Sequence, residues 1–283
     1  MPAPHPFTPI LAIALACGLT GACDRGTPEA PAPVVIKPAI AKEELLVLAA
    51  SSLTDAFQRL EREVEQKHPN VDVLLSFAGS SALALQIDQG GAGDVLATAS
   101  EEHLHKLVTA GLIQDGVVFA HNELVVAVPE SNPAKIERFE DLANAERIVL
   151  GAPNVPVGQY ADGLLERAGA SIGAQFAAQV RAHVVSREAN VRLVLAKVEL
   201  GEADAAIVYR SDIRATGKAR AIELPATLSE RATYPIGVAT RSKHAALART
   251  FIGYVLSPEG QAAMVANGFI PARPPAGATE PKP

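Results

Sequence analysis

Residues 45–67 read LLVLAASSLTDAFQRLEREVEQK, an apolar run that stops at two serines and passes directly into an amphipathic pattern. Leu45 to Ala50 has the length and apolar density of a buried strand. Beyond it, Leu53, Ala56, Phe57, Leu60 and Val64 fall on one helix face, with Glu61, Arg62 and Glu65 turned outward. Ser52 fits the N-cap position of that helix. The first backbone N–H groups of a helix lack intrahelical partners and lie at the positive end of its dipole. A strand that ends on small residues at a helix start therefore holds an anion without any cationic side chain.

The same order recurs at 74–87 (LLSFAGSSALALQI), 148–161 (IVLGAPNVPVGQYA) and 184–198 (VVSREANVRLVLAKV). One such turn is ordinary; four in one chain suggest a composed binding site. Around them, strand-like runs (Leu45 to Ala50, Val71 to Phe77, Asp94 to Thr98, Leu124 to Val128, Ile148 to Leu150, His183 to Ser186, Ala205 to Tyr209, Ile236 to Ala239) alternate with helical patterns. That is an α/β order. A further clear helix start is Ser257-Pro258-Glu259: a cap residue, proline at the first helical position and an acid in the first turn.

Ligands of open α/β sheets bind outside the carboxyl ends of the strands, where helix N-termini converge. Two of the four turns precede Leu124 and two follow it. If the chain folds as two lobes, each contributes a pair of turns to a cleft. Asn122 to Val128 and Tyr234 to Ala239 are candidate crossing strands, with hinge closure as the expected motion.

The 283 residues, 48% hydrophobic and 20% charged, suffice for a sizeable core or for two lobes of roughly 100 to 150 residues. A formal net charge of −6, with no block of Lys and Arg, argues against a nucleic-acid partner. Ile10 to Leu19 is a short apolar stretch suited to a signal-peptide core, which predicts export. Leu19-Thr20-Gly21-Ala22-Cys23 resembles a bacterial lipobox, which would leave Cys23 lipidated at the mature N-terminus. Thr20 in place of Leu, and the absence of Lys or Arg before Ile10, keep simple cleavage and release open. Cys17 and Cys23 are the only cysteines, so the folded part carries no disulfide and no thiolate metal site. The expected organisation is a signal peptide over 1–23, a Pro-rich tether over 24–43, one lobe from 44–121 plus 236–271, a second from 122–235, and a disordered tail over 272–283.

At the four turns the sequence resembles the molybdate-binding receptors of bacterial ABC importers, which have the type II periplasmic binding-protein fold. The resemblance rests on an ordered set: AASSLTDAF (49–57), FAGSSALALQI (77–87), DVLATAS (94–100), VPVGQYA (155–161), ANVR (189–192), GEADAAIVY (201–209), then SPEGQ (257–261) and GFIP (268–271). It implies two lobes, each a mixed sheet flanked by helices, with the ligand cleft between them and two crossing strands as hinge. It also implies an exported, periplasmic, monomeric receptor that delivers molybdate, and with it tungstate, to a membrane permease. There would be no resident cofactor, and molybdenum would enter only as the bound oxyanion. Carried over by position, Ser52 and Ser80 supply a hydroxyl and a backbone N–H each, Val157 and Val191 backbone N–H groups, and Tyr209 its phenol. Three positions depart from the family's usual residues: Ser51 and Val157, each for Ala, and Ala189 for an acid.

A site of neutral donors suits an anion that stays deprotonated and must leave again. Each hydrogen bond to a charged group contributes about 1.5 to 3 kcal/mol, so several offset a substantial desolvation cost. A ligand carrying its own proton, as phosphate does near neutrality, finds no acceptor there. Sulfate or another tetrahedral anion is the alternative within this class. The effector-sensing domain of a regulator and an enzyme on an α/β scaffold are alternatives outside it. The first lacks a helix-turn-helix segment and fits poorly with an export signal. The second lacks a Gly-x-Ser-x-Gly elbow and any His recognisably placed to activate Ser52 or Ser80. His103 and His105 read as surface residues, Gly90 to Gly93 as a turn, and Asp94 and Arg192 as members of salt bridges at the surface or between lobes.

Overall fold

The computed structural model describes residues 42–272. The leader, Cys23, nearly all of the Pro-rich tether and nearly all of the tail lie outside the described residues. Strands β1 (Glu43–Ala50), β2 (Val71–Ala78) and β3 (Val95–Ala97) alternate with helices α1 (Thr54–Lys67), α2 (Ser80–Asp88) and α3 (Glu101–Thr109). Then come β4 (Ile113–Pro129), β5 (Ile148–Gly151), α4 (Pro156–Ser171), α5 (Ala174–Ala182), β6 (Val184–Glu188), α6 (Val191–Glu199), β7 (Ala205–Tyr209) and α7 (Arg210–Arg214). The last part holds β8 (Ala219–Ile222), β9 (Arg231–Ala239), α8 (Ala245–Leu256), α9 (Pro258–Ala266) and β10 (Ile270–Pro271).

The strands order as β2-β1-β3-β9-β4-β7-β5-β6, with β8 and β10 also paired to β4. β4 runs through both halves of this arrangement. Its residues Ile113 to Glu123 pair antiparallel with β9, while Leu124 to Ala127 pair antiparallel with β7. On one side β1 is parallel to β2 and β3; on the other β5 is parallel to β6 and β7. Each half is thus a mixed sheet with a parallel outer part, the architecture expected of a two-lobed α/β protein.

The apolar face of α1 is buried as its spacing predicts: Leu53, Ala56, Phe57, Leu60 and Val64 are at most 2% exposed. Glu65, expected to point outward, instead accepts a hydrogen bond from the Val73 N–H at 2.9 Å and so ties α1 to β2. A row of aromatic rings joins the halves. Phe57 packs on Phe119, Phe119 on Tyr234 and Tyr234 on Tyr209, with centroids 5.8 to 6.4 Å apart in tilted or edge-on geometry. Ser257 caps α9 by accepting from the Gly260 N–H at 3.1 Å, with Pro258 at the first helical position, as read from sequence.

Three local expectations are corrected. Ser52 is not the N-cap: residues 51–53 form a 3-10 turn capped by Ala50, and Leu53 caps α1. β4 begins eleven residues before the Leu124 run; register shifts between Gln114 and Val117 and between Val118 and Ala120 carry its pairing with β9 through that added length. Asp94 makes hydrogen bonds and, among the described residues, no ion pair: its carboxylate accepts from the Leu46 N–H at 2.9 Å and from the Ser242 hydroxyl at 2.6 Å.

Candidate functional site

Each expected ligand position lies where a strand hands over to a helix. Ser52 is the middle residue of the 3-10 turn between β1 and α1; Ser80 opens α2 after Gly79. Val157 is the second residue of α4, and because Pro156 has no N–H, it carries the first amide of that helix. Val191 opens α6, whose cap Asn190 accepts from the Leu193 N–H at 3.1 Å and leaves the Val191 amide free of the cap. Tyr209 ends β7. As first-turn groups these amides have no intrahelical acceptor.

The fold brings all five together. Ser52, Ser80, Val157, Val191 and Tyr209 line one cavity of about 10 Å³, with Ser51, Gly79, Ala99 and Asn190 also in its wall. No charged side chain lines it among the described residues. In this conformation the space is that of one compact group. A wider cleft of about 410 Å³ lies between α3 and α4, but Glu101, Glu102 and Glu230 on its wall, against Arg167 alone, make it the poorer place for an anion.

Each serine hydroxyl is already engaged in one hydrogen bond. The Ala99 N–H donates to the Ser80 hydroxyl oxygen at 3.0 Å, and the Tyr234 phenol lies 3.0 Å from the Ser52 hydroxyl. Burial pushes the Tyr234 and Tyr209 phenols well above their ordinary pKa, so both stay protonated. With its oxygen accepting from the Ala99 N–H, the Ser80 proton is free for the cavity; in the Ser52–Tyr234 pair either hydroxyl can be the donor. The Tyr209 hydroxyl is fully buried and has no hydrogen-bond partner among the described residues. A buried polar atom of this kind costs about 1 to 3 kcal/mol unless something satisfies it.

Behind this wall lies a polar layer that sequence reading missed. Asp212, entirely buried, accepts from the Tyr209 N–H at 3.1 Å, and its other oxygen is 3.6 Å from the Arg192 guanidinium. Burial pushes its pKa up to about 7 against the opposing pull of Arg192. Buried Asn122 donates to the Ser211 hydroxyl at 2.7 Å. Arg192, expected in a surface or interlobe salt bridge, pairs with Asp55 of α1 and donates to the Ser51 carbonyl at 3.3 Å. His103, expected at the surface, is instead half-buried, and burial lowers its pKa; His105 is exposed. No cluster of three or more His, Cys, Asp or Glu able to hold a metal occurs among the described residues. Likewise, no described helix is long and apolar enough to cross a membrane.

The profile of the bacterial extracellular solute-binding proteins matches residues 45–270. The molybdate-binding protein ModA of Mycobacterium tuberculosis is 32% identical over 265 residues, covering 93% of this chain and 96% of the relative. Among solved structures, the periplasmic molybdate-binding protein of Azotobacter vinelandii matches with a TM-score of 0.70 at 19% identity, covering 81% of this chain and all of that one. The sulfate-binding protein SubI of M. tuberculosis matches with a TM-score of 0.72 at 19% identity, over 82% and 88% of the two chains. The two solved structures share the fold of this chain.

Proposed function

The chain belongs to the bacterial extracellular solute-binding proteins, and we propose that it is the molybdate receptor of an ABC importer, with Ser52, Ser80, Val157, Val191 and Tyr209 as the groups that grip the anion. The single observation that carries this is the small cavity walled by neutral donors, with a buried phenol left unpartnered among the described residues. In this reading the protein does no chemistry on its ligand. It has no resident cofactor; molybdate, and tungstate with the same shape and charge, enters as a complete tetrahedral oxyanion. The lobes, 44–121 with 236–271 and 122–235, close about the strands they share. The protein acts outside the cytoplasm as a monomer, released or held through a lipid on Cys23, and hands its ligand to a membrane permease.

The shortage of acceptors favours a proton-free divalent oxyanion. The Ser80 oxygen already accepts from the Ala99 N–H and the Ser52 hydroxyl is already engaged with Tyr234, so the wall has few acceptors to offer a ligand proton. Phosphate near neutrality carries such a proton; molybdate, tungstate and sulfate do not. Sulfate is thus the second reading, and the likeness to a sulfate-binding backbone gives it a specific basis.

The test is the shift in melting temperature of the purified protein with molybdate, tungstate, sulfate and phosphate at equal concentration. A ligand present at about 100 times its Kd adds about 2.7 kcal/mol of stability. Molybdate and tungstate are expected to raise the midpoint by several degrees and phosphate not at all. An equal shift with sulfate would replace the molybdate assignment by the sulfate one.

A further inference from the structure

The Arg192 side chain stands outside the cavity and touches none of the expected ligand atoms, yet it joins the backbone around three of the five positions. It follows Val191 directly in α6. Its Nε donates to the Ser51 carbonyl at 3.3 Å, next to Ser52. Its Nη2 pairs with Asp55 in the first turn of α1. The same Nε is 3.6 Å from Oδ1 of Asp212, whose other oxygen holds the Tyr209 N–H. One guanidinium therefore connects the half of the molecule that carries Ser52 with the half that carries Val191 and Tyr209.

The partners differ in weight. Asp55 keeps 43% of its side chain exposed, so that pair alone contributes little. The Asp212 side chain has no exposure, so its attraction to the guanidinium is not screened by water as that of Asp55 is. The planar fork of Arg can serve a carbonyl and two carboxylates at once, which the point charge of Lys cannot. A second contact supports the same closeness of the two halves. The turn before α2 meets the turn before α6 so tightly that a Cβ on Gly79 would overlap the Ala189 carbonyl oxygen.

We propose that Arg192 is a positioning residue that latches the two halves over the bound anion and thereby sets the rate of its release. The proposal rests on the oxyanion-receptor reading of the cavity, but not on which oxyanion fills it. A latch formed across the closed cavity slows escape and leaves diffusional entry unchanged, so it acts on the dissociation rate.

The experiment is stopped-flow binding with whichever of molybdate, sulfate or phosphate raises the melting midpoint of the wild-type protein. If none does, the receptor reading itself fails and the latch falls with it. Arg192→Ala is expected to raise the dissociation rate by about ten-fold or more with association within about two-fold, Arg192→Lys to recover part of the loss, and Asp55→Asn to move release in the same direction by less. Asp55→Asn keeps the test valid should Arg192→Ala lower the ligand-free melting temperature. Wild-type binding with unchanged dissociation in both Arg192→Ala and Asp55→Asn would overturn the latch, as would equal changes in both rate constants.

Discussion

The Tyr234 phenol lies 3.0 Å from the Ser52 hydroxyl, and both groups are buried. Tyr234 sits in β9, paired with β4 where the two halves share strands, whereas Ser52 faces the cavity. Burial keeps the phenol protonated, so the two hydroxyls share one hydrogen bond in which either can be the donor. Tyr234→Phe keeps the ring packing and removes the hydroxyl that meets Ser52. Anion affinity is expected to fall by about 0.5 to 1.5 kcal/mol, the net value of one neutral hydrogen bond, measured by titration calorimetry. No loss of affinity would mean that Ser52 needs no orienting partner.

Tyr209→Phe and Ser80→Ala should weaken binding alike and affect the empty protein oppositely. Each removes a donor to a charged ligand, a loss of about 1.5 to 3 kcal/mol in affinity. Tyr209→Phe also removes a buried hydroxyl without a partner among the described residues, so the ligand-free melting temperature should rise. Ser80→Ala strips the acceptor from the Ala99 N–H, so that temperature should fall. Paired melting curves and titrations check both signs.

Four of the five proposed ligand positions lie at turns legible as local events, an apolar run, small residues and a helix start, whereas Tyr209 came only with the family resemblance. Their meeting in one cavity follows once the strands are placed in a sheet, since the carboxyl ends of parallel strands point the same way. What lay behind them was not legible. Tyr234 differs in no local respect from an ordinary strand residue, and its partner Ser52 is 182 positions away. Asp212 reads as one charged residue in a polar stretch, and only the packing around α7 reveals it as buried. β8 and β10 were also missed: with 4 and 2 residues they are too short to show a period. Asn190, by contrast, stands in the N-cap position before an apolar helical run and could have been found by the same rule that found Ser257.

Asp212 predicts a pH dependence of stability. Its folded pKa, pushed up to about 7, exceeds the value of about 4 usual for an aspartate in an unfolded chain. Between these limits the folded protein binds more protons than the unfolded one, so this carboxyl's contribution is fully present below pH ~4 and is lost as pH rises toward ~7. Asp212→Asn cannot ionise, and its amide oxygen still accepts from the Tyr209 N–H. The melting temperature of the variant relative to wild type should therefore climb from pH ~4 to ~7 and level off above. A difference that stays constant across that range would show that the carboxyl titrates normally.

Gly79 tests the closeness of the two halves by steric means alone. Its φ of −65° and ψ of 140° are open to any L-residue, so Ala can cap α2 with the same backbone. The carbonyl of residue 79 would still accept from the Ala82 and Leu83 N–H groups, at 3.0 and 3.1 Å in the present structure. What Ala cannot avoid is the Ala189 carbonyl oxygen, which the added Cβ would meet across the cavity wall. The obstruction involves backbone, so the two turns must separate rather than rotate a side chain away. The α2 and α6 N-termini would then stand further apart, and one of Ser80 and Val191 would lose its short contact to a shared anion. Gly79→Ala is expected to cut anion affinity by about ten-fold or more, equivalent to about 1.4 kcal/mol, with a ligand-free melting temperature within a few degrees of wild type. Calorimetric titration beside a melting curve separates the outcomes: full affinity would mean that the site tolerates a wider spacing between its helix ends, and a collapsed melting temperature would mean that the contact supports the fold rather than the grip on the ligand.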